Sequence, residues 1–128
     1  MMATPVPAPP RNPENAAFLD AVRAGRLMIG RCRHCGAAYF YPRALCPFCF
    51  SADTGLEPAA GAGTIYACSV QRRVEAPYCV AYVTLDEGPT LLTNIVGADL
   101  AAIRVGQRVR LVFEAAEDGQ PVPMFTPA

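Results

Sequence analysis

Four cysteines stand in two C-x-x-C pairs, Cys32-Arg33-His34-Cys35 and Cys46-Pro47-Phe48-Cys49, with ten residues between the pairs. Two cysteines three apart on a tight turn aim both sulfurs at one point, and backbone N–H groups of the turn donate to the thiolates. Gly36, directly after the first pair, permits the left-handed conformation that closes such a turn. Two knuckles facing each other make a tetrahedral four-sulfur site, which zinc or iron accepts. One structural zinc ion held by Cys32, Cys35, Cys46 and Cys49 is the expected cofactor. With four thiolates bound, the metal has no open position for water or substrate, so its role is to stabilise a region with little core of its own. Iron would use the same ligands and announce itself as a red protein. Two disulfides are the other use of paired cysteines, but they belong to oxidising compartments. The Ala- and Pro-rich start, Met1 to Pro10, has no basic residue followed by an apolar run, so it reads as a tail and not an export signal. The expected location is the reducing cytosol.

The remaining chemistry-bearing residues are few. His34, the only histidine, lies inside the first knuckle and is expected at the surface. Cys68 and Cys79 fall in consecutive expected strands, opposite each other across the hairpin, as small buried hydrophobes. Asp86 and Glu87 are adjacent in a turn with Gly88, where their side chains diverge into solvent. There is no Ser-His-Asp or Cys-His set, no HExxH, no Gly-rich phosphate loop, and no lysine for a Schiff base. No catalytic residue is assigned. Tyr39, Phe40, Tyr41, Phe48 and Phe50 concentrate aromatics around the knuckles, more than so small a unit can bury. They meet either a partner protein or the helix that precedes them.

The elements that must hold these residues follow from local pattern. Asn12-Pro13-Glu14 reads as a helix start, Phe18, Leu19 and Val22 recur at helical spacing, and Gly25 is a stop, which predicts a helix over 13–24. Residues 51–63 read as linker and turn. Beyond them, 64–71, 78–85, 90–96 and 107–115 are rich in β-branched and aromatic residues and are separated by turn chemistry. Residues 97–106 have room for one short helical turn. Four or five such strands fit a small closed barrel of the OB type. The expected division is a flexible tail over 1–11, an N-terminal helix over 12–25, a ribbon over 26–52 and a barrel over 60–128. The fold class is mainly β.

Composition narrows the function. Hydrophobic residues make up 52% of the chain and charged ones 17%, so it folds. Eleven arginines balance eleven acids, and a net charge of zero argues against a protein that lives on a nucleic-acid backbone. Apolar runs are far shorter than the roughly 20 residues needed to cross a bilayer.

Taken together, the residues resemble the DUF35 family, whose fold is a rubredoxin-like zinc ribbon fused to an OB-fold. The resemblance runs from about Phe18 to Phe125. It is carried by Gly25-Arg26-Leu27, Cys32-x-x-Cys35-Gly36, Tyr41-Pro42-Arg43, Cys46-x-x-Cys49-x-Ser51 and Gly61-x-Gly63-Thr64-Ile65. Val80-Ala81-Tyr82-Val83-x-Leu85-Asp86-Glu87-Gly88 and Ile103-x-Val105-Gly106-x-Arg108-Val109 continue it. The chain departs at Leu56-Glu57-Pro58, where relatives often carry an aromatic. The resemblance implies a non-catalytic accessory subunit that complexes with a thiolase-like or ketosynthase-fold enzyme acting on acyl-CoA. It also admits a MaoC-like enoyl-CoA hydratase as the partner. Within it, Arg31, Arg33, Arg43, Arg72 and Arg73 become candidates for the phosphates of coenzyme A, since guanidinium forks suit phosphate oxygens. Solvated arginines, or ion pairs to a partner, are the competing reading for each. A nucleic-acid-binding module is the alternative function, because ribbons and OB-folds both serve it.

Overall fold

The structure, a computed structural model, describes residues 6–128; Met1 to Pro5 of the expected tail lie outside the described residues. Residues 6–11 are tied to the body: the Val6 carbonyl accepts from Glu117 N at 2.9 Å, the Pro10 carbonyl accepts from Asn15 Nδ2 at 2.8 Å, and Arg11 pairs with Asp20.

Helix α1 spans Ala16–Arg23, shorter at its start than the 13–24 expected from the sequence. The reason lies in Asn12. Its side-chain oxygen accepts from Glu14 N and Asn15 N, both at 2.9 Å, which closes a separate turn that contains Pro13. Asn15 then becomes the N-cap. At the other end Gly25 takes φ +81°, and Gly25 N and Arg26 N bond back to the carbonyls of Val22 and Ala21, a Schellman stop. Phe18, Leu19, Ala21 and Val22 are the buried face.

Three strands follow in an antiparallel sheet of order β2-β1-β3: β1 (Met28–Cys32), β2 (Ala38–Tyr39) and β3 (Thr54–Pro58). The third corrects the linker expected over 51–63. Thr54 to Pro58 shows no alternation of β-branched residues, yet all five residues pair with β1, from Cys32↔Thr54 to Met28↔Pro58. Pairing with a strand more than twenty residues earlier leaves no local mark.

The second unit is a closed barrel of order β4-β5-β6-β8-β7. Its strands are β4 (Ala62–Gln71), β5 (Tyr78–Leu85), β6 (Thr90–Ile95), β7 (Arg108–Ala115) and β8 (Pro121–Pro127). The first four match the expected segments to within two residues. A 3-10 turn, Leu100–Ala102, occupies the stretch between Gly97 and Gly106. The fifth strand carries three prolines, which normally argue against a strand. All three stand at odd positions, the parity of Phe125, whose carbonyl accepts from Val96 N next to β6. Groups of that parity face away from β7, so the ladder from Val109↔Pro127 to Ala115↔Pro121 loses no hydrogen bond to a missing N–H.

Helix, ribbon and barrel share one core. Phe18, Leu19 and Val22 from α1 and Leu27 and Ile29 from the ribbon join Ile65, Val83, Leu85, Leu91, Ile95, Val109 and Phe125 of the barrel. On β5 the alternation is clean: Cys79, Ala81, Val83 and Leu85 point inward and Tyr82 outward. Among the described residues no helix is long and apolar enough to cross a membrane.

Candidate metal centre

The two knuckles face each other as the spacing requires. Cys32 ends β1, and the chain turns back into β2, with Gly36 N donating to the Cys32 carbonyl at 2.9 Å. The second knuckle repeats the turn, Phe50 N donating to the Cys46 carbonyl at 2.9 Å. Backbone N–H groups point at the sulfurs: Cys35 N lies 3.4 Å from Cys32 Sγ, and Phe48 N lies 3.4 Å from Cys46 Sγ.

The four sulfurs lie within 4.8 Å of one another. Sγ of Cys32 and Cys49 are 3.6 Å apart, and those of Cys35 and Cys46 are 3.7 Å apart. Tetrahedral zinc with Zn–S bonds of about 2.3 Å requires edges of about 3.8 Å. The donor set and spacing therefore fit one structural zinc ion. Without metal, the thiols of Cys32, Cys46 and Cys49 divide unequally. The Cys35 backbone N–H pulls Cys32 down to about 6, with the His34 N–H helping against burial. At Cys46, burial raises the value but the N–H groups of Cys49 and Phe48 outweigh it, leaving it below the usual thiol. At Cys49 the Ser51 N–H favours the thiolate, yet burial and the three neighbouring thiols push it up to about 12. Four thiolates cannot share this space uncompensated; a divalent cation supplies the missing charge. His34 is exposed and outside the ligand cluster.

The structure separates the other candidates. Arg31 Nε lies 2.6 Å from Glu57 Oε1, and Arg33 Nε lies 2.7 Å from Asp53 Oδ1. Arg31 thus ties β1 to β3, and Arg33 ties the first knuckle to the residue just before β3, both within the stretch expected as linker. Their carboxylates lie 26 and 20 residues away, respectively, so no local signal marks them. The Arg43 guanidinium donates to the Pro42 carbonyl at 3.0 Å and sits 5.8 Å over the Tyr41 ring. Arg72 and Arg73 are exposed in the turn after β4, without an ion pair among the described residues.

The five aromatics also divide. Tyr39 is buried, its hydroxyl donating to the Arg43 carbonyl at 3.2 Å. Phe40 and Tyr41 meet Phe18 of α1 edge-on, with centroids 5.6 and 5.1 Å away. Phe48 and Phe50 remain 66% and 73% exposed. Thus the helix covers part of the set and leaves the second knuckle bare. Cys68 and Cys79 share the inner side of the β4–β5 hairpin but are diagonal, not opposite: Cys68 pairs with Ala81 and Cys79 with Val70. The bulge between Ile65 and Ala67 sets this offset. Burial raises the Cys79 thiol above its usual value, as befits a core residue and not a nucleophile.

Comparison with known proteins agrees with this architecture. Residues 19–55 match the family described as ChsH2, rubredoxin-like zinc ribbon domain, and residues 56–114 match ChsH2, C-terminal OB-fold domain. The chain is 34% identical over 102 residues to a DUF35 domain-containing scaffold protein of Methanocaldococcus jannaschii, covering 72% of each chain. It is 37% identical over 127 residues to a probable enoyl-CoA hydratase alpha subunit of Thermomonospora curvata. That match covers 95% of this chain but only 40% of the relative. The solved structure described as Ltp2-ChsH2(DUF35) aldolase superposes with a TM-score of 0.82 at 36% identity, over 94% of this chain and 98% of the other. A DUF35 protein from Sulfolobus solfataricus, at 13% identity and a TM-score of 0.68, shares the fold. With its four-cysteine ribbon, its closed barrel and these matches, the chain belongs to the DUF35 family.

Proposed function

We propose that this chain is a non-catalytic subunit that complexes with a thiolase-fold enzyme acting on acyl-CoA, in the cytosol, and completes that enzyme's assembly. The observation that carries the reading is the closed four-thiolate site: a metal with no open position organises a surface and performs no reaction. The likeness to the chain in the Ltp2-ChsH2(DUF35) aldolase supports a protein partner. The thiolase fold of that partner is what the family resemblance implies. A direct contact to coenzyme A would fall to Arg43, Arg72 and Arg73, because Arg31 and Arg33 already hold carboxylates.

A hydratase-fold partner is the second reading, favoured by the Thermomonospora curvata relative, in which nearly the whole of this chain corresponds to part of a longer hydratase subunit. Co-expression with each candidate enzyme encoded beside it, followed by affinity purification and mass measurement of the intact complex, separates the two. A thiolase-fold subunit in fixed ratio supports the first, and a hydratase-fold subunit supports the second. Elution alone, or with nucleic acid, overturns both.

A further inference from the structure

The four sulfurs of the metal centre are not equally open to solvent. Cys32 and Cys46, the first cysteine of each knuckle, are 0% exposed, whereas Cys35 is exposed and Cys49 half-buried. Position explains the split. Cys32 ends β1 and pairs with Thr54 of β3, and Cys46 N donates to the Ser51 carbonyl at 2.9 Å, while Cys35 and Cys49 ride on the turns. The two outer cysteines differ again in their neighbours. Cys49 stands between Phe48 and Phe50. Cys35 is followed by Gly36, where even a β-carbon would meet nothing beyond the adjacent residues within 4 Å. The sulfurs also approach in couples across the knuckles, Cys35 to Cys46 at 3.7 Å and Cys32 to Cys49 at 3.6 Å. Each couple joins one buried sulfur to one that a solute can reach.

We propose that Cys35 is a peroxide-sensitive thiolate, and that its oxidation, resolved by Cys46, expels the metal from the ribbon. Metal binding keeps a cysteine deprotonated, and the thiolate is the form that attacks an oxidant. Among four such thiolates, exposure decides which one the oxidant meets first. The Cys35 sulfur attacks one oxygen of hydrogen peroxide: an S–O bond forms, the O–O bond breaks and hydroxide leaves, giving a sulfenic acid. Cys46, sealed from solvent but 3.7 Å away, then attacks the Cys35 sulfur. An S–S bond forms, the S–O bond breaks and a second hydroxide leaves. The two thiolates have lost two electrons and the peroxide has gained them. Cys32 and Cys49 remain as two ligands where a structural zinc site needs four, and the ion is lost. No partner enters this chemistry, so it holds whichever enzyme the subunit joins.

The test treats the full zinc-loaded chain with hydrogen peroxide up to one equivalent. A chromogenic chelator records free zinc, and dimedone traps sulfenic acid. Trypsin cuts after Arg33 and Arg43, which puts Cys35 on a peptide apart from Cys32 and from Cys46, so each link is read by mass. The expected result is about tenfold more dimedone on Cys35 than on Cys49. Without dimedone, a Cys35–Cys46 disulfide should accumulate in step with released zinc, and dithiothreitol with added zinc should restore one ion per chain. Cys79, 0% exposed in the barrel core, serves as the monitor of unfolding. Labelling of Cys79 together with Cys35 shows that peroxide meets an opened chain, and overturns the proposal. Labelling that falls first on Cys49 overturns it too, as does a Cys32–Cys35 link confined to the first knuckle. Zinc that stays bound after Cys35 is oxidised, or a centre that one equivalent of peroxide leaves untouched, has the same consequence.

Discussion

Gly30 of β1 lies beneath the ring of its cross-strand partner Tyr39 on β2, so close that a β-carbon on Gly30 would overlap the ring carbons. Tyr39 has nowhere to retreat: it is buried, and its hydroxyl is bonded to the Arg43 carbonyl. Gly30→Ala is therefore an overpacking change and is expected to lower stability by about 1–3 kcal/mol. Denaturant titration of the zinc-loaded chain measures it. A midpoint equal to the parent's would show that the ring moves freely, contrary to its burial.

Gln120 joins the helix to the barrel. It is only 3% exposed, and its Nε2 donates to the Leu19 carbonyl at 3.2 Å and to the Pro121 carbonyl at 3.1 Å. Gln120→Ala removes a buried donor from two carbonyls and is expected to cost about 1–3 kcal/mol. Gln120→Glu should be worse near neutral pH, because a carboxylate would face acceptors it cannot satisfy, and should recover part of the loss on acidification. Equal unfolding midpoints for both variants and the parent would refute the role of this contact.

How much of this was legible beforehand follows from the range over which each feature is encoded. The cysteine knuckles are local, since spacing and turn geometry are one statement, so the metal ligands could be read directly. Strand β5 announces itself because Cys79, Ala81, Val83 and Leu85 alternate with outward residues. Strands β3 and β8 were hidden for different reasons. The former takes its order from β1, far back in the chain, and the latter carries prolines whose harmlessness depends on which side faces β7. The aromatics were undecidable from sequence for the same reason: only the position of Phe18 separates Phe40 and Tyr41 from Phe48 and Phe50. Nor does a sequence reveal that Phe50 occupies a glycine's conformation.

Asp86 and Arg108 form a bidentate pair at 2.8 and 2.9 Å that ties the turn after β5 to β7, with Arg108 also donating to Thr64. The hydrogen bonds from Arg108 hold the Asp86 carboxyl below its usual range. A depressed folded value means the stabilisation is present above the unfolded pKa of about 3.9 and is lost as pH falls through the folded value. Asp86→Asn should thus melt below the parent at neutral pH, with the gap closing once the pH drops below about 4. Both side chains are half exposed, so the gap should be small and should narrow in high salt. A gap that is constant down to pH 2 would exclude this pair as its source.

The metal centre makes the largest demand on stability. Cys32 and Cys46 are fully buried, and the ribbon's own sheet contributes few apolar residues to the core, so the cross-link must replace packing. One zinc per chain is expected by elemental analysis, and Cys46→Ser should lose it. Its loss should unfold the ribbon before the barrel, since the barrel strands are joined into a closed ladder that does not pass through the knuckles. Hydrogen exchange should then show Met28–Cys32 and Thr54–Pro58 unprotected while Tyr78–Leu85 stays protected. Acid should act in the same direction as chelation, because protons compete with the metal for thiolates. The thiol held up to about 12, Cys49, is the one that most needs the cation to ionise. If the chain instead keeps one melting transition and full protection in β1 and β3 after chelation, the sulfurs do not hold the ribbon together and the structural role assigned to the metal is wrong.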